Sequence, residues 1–373
     1  FLMNINYHFV EEQEVFSPAL IYYRDMIQKN IEKSIEEAGG AEKLWPHVKT
    51  HKSLEVTKLL VKAGIVKFKC ATFAEAEMAV QAGAEKILIS YPLVGPNIQQ
   101  FVRLVKKYSN QTFYAIGDDL SMLEALGKAG KEEKTELNCL VDVNTGMNRT
   151  GVSLEEVIPF YKKAAELPGI QMRGLHCYDG DRHEKSRKER EEKVKSTIGK
   201  VEFIRQTLKK EGLNCENLVM GGSPTFPCYA NDMKGVFFSP GTIFIYDEGY
   251  LEQFPDLSYV PAAAVLTRVV SHPAEGYFTI DAGYKAISAE QGIRGKLLGC
   301  PYAEEAFQSE EHWTFRMKPG REAERPKIGE ILYVIPWHIC PTTAMYDKVL
   351  MVSDGKLQKF WDVTARGRQI TQE

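Results

Sequence analysis

Three groups of residues in this chain have the types and spacing to do chemistry. Pro46-His47-Val48-Lys49-Thr50-His51-Lys52 gathers lysines and histidines where an early strand would end, just before a helix that starts near Ser53. A lysine partly withdrawn from water loses basicity and can form a Schiff base with an aldehyde, and Lys49 and Lys52 are both placed to do so. Gly221-Gly222-Ser223 with Thr225, and Ser239-Pro240-Gly241-Thr242, follow two late strands. Small residues there let backbone N–H groups approach a phosphate, and the hydroxyls add donors. His338 and Cys340 lie at i and i+2 directly after an apolar strand. In an extended backbone that spacing points both side chains to one face, and imidazole with thiolate suits zinc. Each group also has an ordinary explanation: loop lysines and histidines, simple Gly-Gly and Pro-Gly turns, and a chance His-x-Cys.

The elements that must position these residues follow from hydrophobic period. From about residue 18 to 240 short apolar runs alternate with segments of helical period. The runs include Leu20-Ile21-Tyr22, Ile87-Leu88-Ile89, Leu140-Val141-Asp142-Val143 and Leu218-Val219-Met220. Between them Val56, Leu59, Leu60 and Ala63 fall at i, i+3, i+4 and i+7, as do Ile98, Phe101, Val102 and Val105, and Leu154, Val157, Ile158 and Tyr161. Repeated strand-then-helix units predict an α/β fold, either a doubly wound sheet or a (β/α)8 TIM-like barrel, and about eight strand candidates favour the barrel. After Tyr250 the runs Val265–Val270, Tyr277–Ile280, Ile331–Ile335 and Val349–Val352 lie between turn signals without long helices. The expected organisation is therefore a barrel over residues 17–250 followed by a mostly antiparallel β domain over 251–373. The barrel's active-site face would be formed by the carboxyl ends of its strands, where the lysine stretch and both glycine loops lie.

Composition excludes several partners. With 47 Lys+Arg against 50 Asp+Glu the formal charge is −3, which provides no basic field for nucleic acid or an acidic membrane. The one dense charge run, Asp181 to Lys195, alternates in sign and is expected to be the solvated start of a helix. No apolar run reaches the roughly 18 residues of a membrane span, and no signal-peptide pattern is present, so a soluble, cytoplasmic protein is expected. The cysteines at 70, 139, 177, 215, 228, 300 and 340 form no close pairs, and most are expected to be buried thiols of a reducing compartment.

Taken in order along nearly the whole chain, these segments resemble the D-threonine aldolase and D-serine dehydratase branch of the alanine-racemase-like pyridoxal-phosphate enzymes. The resemblance is carried by the Pro46–Lys52 stretch, Ala71-Thr72-Phe73-Ala74-Glu75-Ala76-Glu77, Asp142 through Gly151, Gly174-Leu175-His176-Cys177-Tyr178-Asp179-Gly180, Gly221-Gly222-Ser223, Ser239–Thr242 and His338-Ile339-Cys340-Pro341. It implies that Lys49 carries pyridoxal 5′-phosphate, that Gly221, Gly222, Ser223, Gly241 and Thr242 bind the phosphate, that Arg149 lies near the cofactor's phenolic oxygen, and that Tyr178 sits at the barrel mouth. Pro224 departs from the more glycine-rich turn usual in that loop. The resemblance also implies a homodimer, with the first dozen or so residues pairing with the second domain. His51 is a candidate base. His338 and Cys340 would hold a divalent metal, with zinc favoured over manganese or magnesium. The implied substrate is a D-β-hydroxy amino acid. Cys340 in place of the aspartate common in the aldolases favours D-serine or D-threonine dehydration. Retro-aldol cleavage to glycine and an aldehyde is the alternative, followed by amino-acid racemisation and by a non-catalytic cofactor carrier, which the full second domain argues against.

Overall fold

The computed structural model describes residues 5–229 and 233–368 and divides the chain into two compact units. One comprises Glu32–Gly241 with Thr364–Glu373, and the other Phe1–Ile31 with Thr242–Val363.

The first unit is built on parallel strands in the order Lys67–Cys70, Lys86–Ile89, Thr112–Gly117, Leu137–Asn144, Ile170–Cys177, Asn217–Met220 and Val236–Phe238. Residues 44–48 complete the ring. Leu44 pairs in parallel with Phe238 and His47 with Lys69. Trp45 N–H donates to the Phe238 carbonyl at 2.7 Å, and Val48 N–H and Lys69 N–H bond across the other seam at 3.0 and 2.8 Å. The result is a closed (β/α)8 barrel whose first strand is the segment running into Lys49. Inside it Trp45, fully buried, donates its indole N–H to the Phe68 carbonyl at 3.0 Å. Its ring sits edge-on to Tyr114 and Phe237, and Leu88, Ile116, Leu140 and Val219 fill the same core.

The surrounding helices start where short polar side chains cap them. Ser53, Thr72, Asp119 and Ser186 each accept the free amide three residues on, at the starts of Leu54–Lys62, Phe73–Ala82, Leu120–Glu132 and Arg187–Lys210. At the second of these, Glu75 reaches back to Ala71 N–H at 3.2 Å while Thr72 accepts from Glu75 N–H, a reciprocal cap. The charge run 181–195 is mostly exposed and leads into a helix, as its alternation suggests. The helix begins at Arg187, and Arg190 within it is fully buried, donating to the carbonyls of Pro224, Glu184 and Lys185.

The second unit holds a nine-stranded sheet that is antiparallel except where Ala19–Tyr23 runs parallel to Lys348–Ser353. The expectation that Leu20-Ile21-Tyr22 opens the barrel is corrected here. All of Ala19–Tyr23 is buried at the centre of this sheet, paired on its other side with Ala263–Ser271. A continuous apolar run is what a strand buried on both faces requires in either setting, so period alone could not tell them apart. The true first barrel strand, interrupted by Pro46, has no such run. The division accordingly falls after Ile31 and after Gly241, where the sequence suggested residues 16 and 250. Residues 5–16 pack on the same unit: Tyr7 and Phe9 join its core, Val10 N–H donates to Gly355, and Arg268 donates to the carbonyls of Glu12, Gln13 and Val15. Residues 1–4 lie outside the described residues.

Replacing Trp45 with Ala removes the ring that fills the barrel beside its closing seam. It should cost about 3–5 kcal/mol, read as a lowered urea midpoint; an unchanged midpoint would show that this strand is not integral to the barrel.

Candidate functional site

Closure of the barrel places Lys49 one residue beyond the strand that completes it, on the rim of a cavity of about 520 Å³. His47, Lys69, Ser90, Arg149, Thr150, His176 and Tyr178 are among its other lining residues. Cations converge on the ring of Tyr178. Lys69 Nζ is 4.8 Å from its centroid, the Arg149 guanidinium carbon 5.2 Å and Lys49 Nζ 6.0 Å. Such a cluster, in a pocket with few carboxylates on its wall, favours an anionic ligand.

Lys52, the other candidate amine, is tied elsewhere. It forms an ion pair at 2.9 Å with Glu75, whose side chain is wholly buried. His51 is also fully buried and is not among the described residues lining the cavity. Its Nδ1 accepts from Ser53 N–H at 3.1 Å, and burial, then the neighbouring Lys52, push its pKa down to about 3. The one lone pair of this neutral ring is therefore taken by the backbone at the start of a helix.

His47 is fixed in a single tautomer. Its Nδ1 accepts from Lys49 N–H at 3.2 Å, so Nε2 carries the proton and donates to Ser90 Oγ at 3.2 Å, which in turn donates to the Cys70 carbonyl at 3.1 Å. Burial, then Lys49 and Lys69, hold its pKa well below the ordinary value. Across the barrel His176 Nδ1 lies 2.7 Å from Asp142 Oδ1, and both are buried. Burial and Lys69 lower the His176 pKa against the pull of Asp142, so the ring is neutral with Nδ1–H donating. His176 Nε2 and Asp142 Oδ2 are then buried without a hydrogen-bond partner among the described residues.

Arg149 is presented by a turn that Asn144 organises. The Asn144 Oδ1 accepts from Gly146 and Asn148 N–H, and Asn148 takes the left-handed conformation (φ 57°) that asparagine tolerates better than most residues.

The two glycine loops meet beside this cavity. Ser239 N–H donates to the Gly221 carbonyl at 2.9 Å, and Gly241 N–H points to Ser223 Oγ at 3.4 Å. A Cβ on Gly241 would stand 3.2 Å from both the Cβ and the carbonyl oxygen of His47, so the close approach suits glycine. Ser239 Oγ is buried and lacks a hydrogen-bond partner among the described residues, as a hydroxyl reserved for a ligand would. These features fit a phosphorylated aldehyde: an amine at the rim, hydroxyls and small residues for the phosphate, and unmatched buried polar atoms. Two of the expected phosphate donors are engaged otherwise. Gly222 N–H donates to Asp179 Oδ1 at 3.0 Å, and Thr242 Oγ1 lies 3.6 Å from Cys340 Sγ.

In the second unit His338 and Cys340 are brought together, though not by a continuous strand as expected. The strand Ile331–Pro336 ends before them, His338 keeps an extended backbone, and Cys340 lies in the short helix Ile339–Thr343. The imidazole bonds to Cys340 and to Glu290, and Gln291 Nε2 is 3.2 Å from Nδ1. Burial lowers its pKa, but Cys340, Glu290 and Asp247 outweigh that and bring it up to about 9. Surroundings that favour a positive charge this strongly fit a cation, and a soft thiolate with an imidazole suits zinc. Among the described residues no group of three or more His, Cys, Asp or Glu side chains is placed to hold one ion, so this pair would leave coordination positions open. The cysteines are free, with Cys70, Cys139, Cys177 and Cys215 buried, and no helix among the described residues is long and apolar enough to cross a membrane.

Lys69 and the His176–Asp142 pair received no role in the sequence. A lysine inside the strand Lys67-Phe68-Lys69-Cys70 is the signal that could have marked the first, since an inward position of a barrel strand is a costly place for a charge.

The chain is similar to known proteins over most of its length. The model of the alanine racemase N-terminal domain matches residues 23–246, and that of a putative serine dehydratase domain matches residues 262–352. A D-threonine aldolase of Arthrobacter sp. is 29% identical over 332 residues, covering 87% of this chain and 85% of its own. A D-threo-3-hydroxyaspartate dehydratase of Delftia sp. (strain HT23) is 23% identical over 370 residues, covering 92% of this chain and 96% of its own. The crystal structure of D-threonine aldolase from Filomicrobium marinum superposes with a TM-score of 0.86 at 26% identity, covering 95% of this chain and 97% of that one.

Burial, then the nearby Lys49, pushes the Lys69 pKa down to about 7, with Arg149 acting in the same direction against Asp142 and Asp179. In protein carrying isotopically labelled lysine, the side-chain signal lost in Lys69→Arg should titrate near pH 7, becoming a neutral amine above it; a midpoint near the ordinary lysine value of 10.5 would refute the desolvated placement.

Proposed function

The chain belongs to the alanine racemase N-terminal domain family, and from that membership we propose that it is a pyridoxal-phosphate-dependent lyase acting on D-β-hydroxy amino acids. The observation that carries this reading is the cavity at the barrel rim, where Lys49, Lys69 and Arg149 surround Tyr178 beside the paired glycine loops. When bound, the cofactor supplies an electron sink for a bond breaking at Cα, and a divalent ion supplies Lewis acidity to an oxygen.

The chain's own residues prepare these events. Lys49 is the amine for the aldehyde, since Lys52 is held in its ion pair with Glu75. His47 takes the Lys49 backbone N–H and so fixes the segment from which that side chain extends. Ser223, Ser239 and Gly241 would hold the phosphate, and Arg149 would lie near the phenolic oxygen of the cofactor. His176, oriented by Asp142, offers Nε2 as an acceptor, and Lys69 is a second amine able to hold or release a proton. His338 and Cys340 would hold the metal.

Dehydration is favoured over cleavage by the Cys340 ligand. Hydroxide is a poor leaving group, and a zinc ion held by this thiolate and imidazole would supply Lewis acidity suited to its departure. Retro-aldol cleavage is the second reading, favoured by the likeness to D-threonine aldolases of Arthrobacter sp. and Filomicrobium marinum.

Incubation with D-serine should yield pyruvate and ammonia faster than D-threonine yields glycine and acetaldehyde, and L-serine should be inert because its Cα–H faces the opposite side of the cofactor. Chelation should stop turnover while the yellow absorption of the bound cofactor persists. Dominant glycine and aldehyde would make the chain an aldolase, and D-to-L interconversion with neither product would overturn the lyase.

A further inference from the structure

Asp179 has no part in the chemistry above. It follows the barrel strand Ile170–Cys177, and only 2% of its surface is exposed. Its carboxylate accepts hydrogen bonds from one short segment after the next strand. Oδ1 accepts from Gly222 N–H at 3.0 Å and Thr225 Oγ1 at 2.8 Å, and Oδ2 accepts from the Tyr229 hydroxyl at 2.7 Å. Burial, then the charge of Asp179, raises the Tyr229 pKa well above that of an ordinary phenol, so the hydroxyl keeps its proton and donates.

That segment needs holding. Gly221 adopts φ +76°, and Pro224 interrupts the turn. From another side the buried Arg190 donates Nε–H to the Pro224 carbonyl at 3.0 Å. The loop is thus gripped by a buried carboxylate and a buried guanidinium. Tyr178, the residue before Asp179, lies against it as well, since a Cβ on Gly222 would be 3.3 Å from the Tyr178 ring. A bare carboxylate near a phosphate would repel it. Here the charge of Asp179 is spread over donors from the loop itself, and such charge-assisted bonds are stronger than neutral ones.

We propose that Asp179 is a positioning residue for the phosphate of the cofactor: it takes up Gly222 N–H and orders Gly221–Ser223 in advance, so that the phosphate is met by the Ser223 and Ser239 hydroxyls. This rests on the reading of the two loops as the phosphate cradle. Ordering the loop beforehand saves the entropy that binding would otherwise cost.

The test compares pyridoxal 5′-phosphate with pyridoxal, which has the same aldehyde and no phosphate. Full-length protein stripped of cofactor is titrated with each, following the absorption of the lysine-bound form. The wild type should bind the phosphorylated form far more tightly; equal affinity for the two would remove the phosphate cradle itself and the inference with it. Asp179→Ala should weaken pyridoxal 5′-phosphate about tenfold to a hundredfold, the scale of a lost hydrogen bond to a charged group, and change pyridoxal affinity less than about twofold on the same scale. Asp179→Asn, which keeps one acceptor oxygen, should recover part of the loss. Thr225→Val and Tyr229→Phe each remove one bond and leave Asp179 in place, so they carry the test if the alanine variant does not fold. They should shift the phosphorylated ligand alone and by less. Unchanged affinity for pyridoxal 5′-phosphate, or an equal loss for both ligands, overturns the proposal while leaving the wild-type phosphate preference intact.

Discussion

The seam at which residues 44–48 close the barrel is the constraint on which the rest of the site depends. Two edges, Val236–Phe238 and Lys67–Cys70, would otherwise present unpaired backbone groups, and a buried unpaired N–H or C=O is costly. The segment satisfies both at once through Trp45, His47, Val48 and Lys69. Because the strand is short, its carboxyl end falls at Lys49, and its pairing with Lys67–Cys70 brings Lys69 level with His47. Trp45 then fills the space beneath.

Much of this was legible in the sequence, and the exceptions share a cause. Caps, helix faces and strand runs are local, and Ser53, Val56 and Ile87-Leu88-Ile89 behave as their spacing suggests. The lysine stretch, the glycine loops and His-x-Cys were visible because each is contiguous. What local pattern could not supply was the assignment of a strand to a sheet. Leu20-Ile21-Tyr22 has the composition of a barrel strand but is buried in the other unit, whereas the strand that closes the barrel contains a proline and a histidine.

The side chains that complete the cavity were hidden for the same reason. Asp142 and His176 lie 34 residues apart and meet only because their strands are neighbours. Lys69 has meaning only once its strand is known to face Tyr178 and Arg149. Asp179 stood within a quoted motif, yet its three donors come from beyond the next strand. His338 and Cys340 were found through spacing, although a turn into a short helix rather than an extended strand brings them together.

The ion pair between Lys52 and Glu75 bears on chemical selectivity. An aldehyde reacts with any accessible amine that has a free lone pair, and two lysines three positions apart are natural rivals for it. A carboxylate sealed from solvent, itself locked by Thr72 and the Ala71 amide, holds one rival in an ion pair. The helix cap that begins Phe73–Ala82 therefore also acts as a protecting group for Lys52.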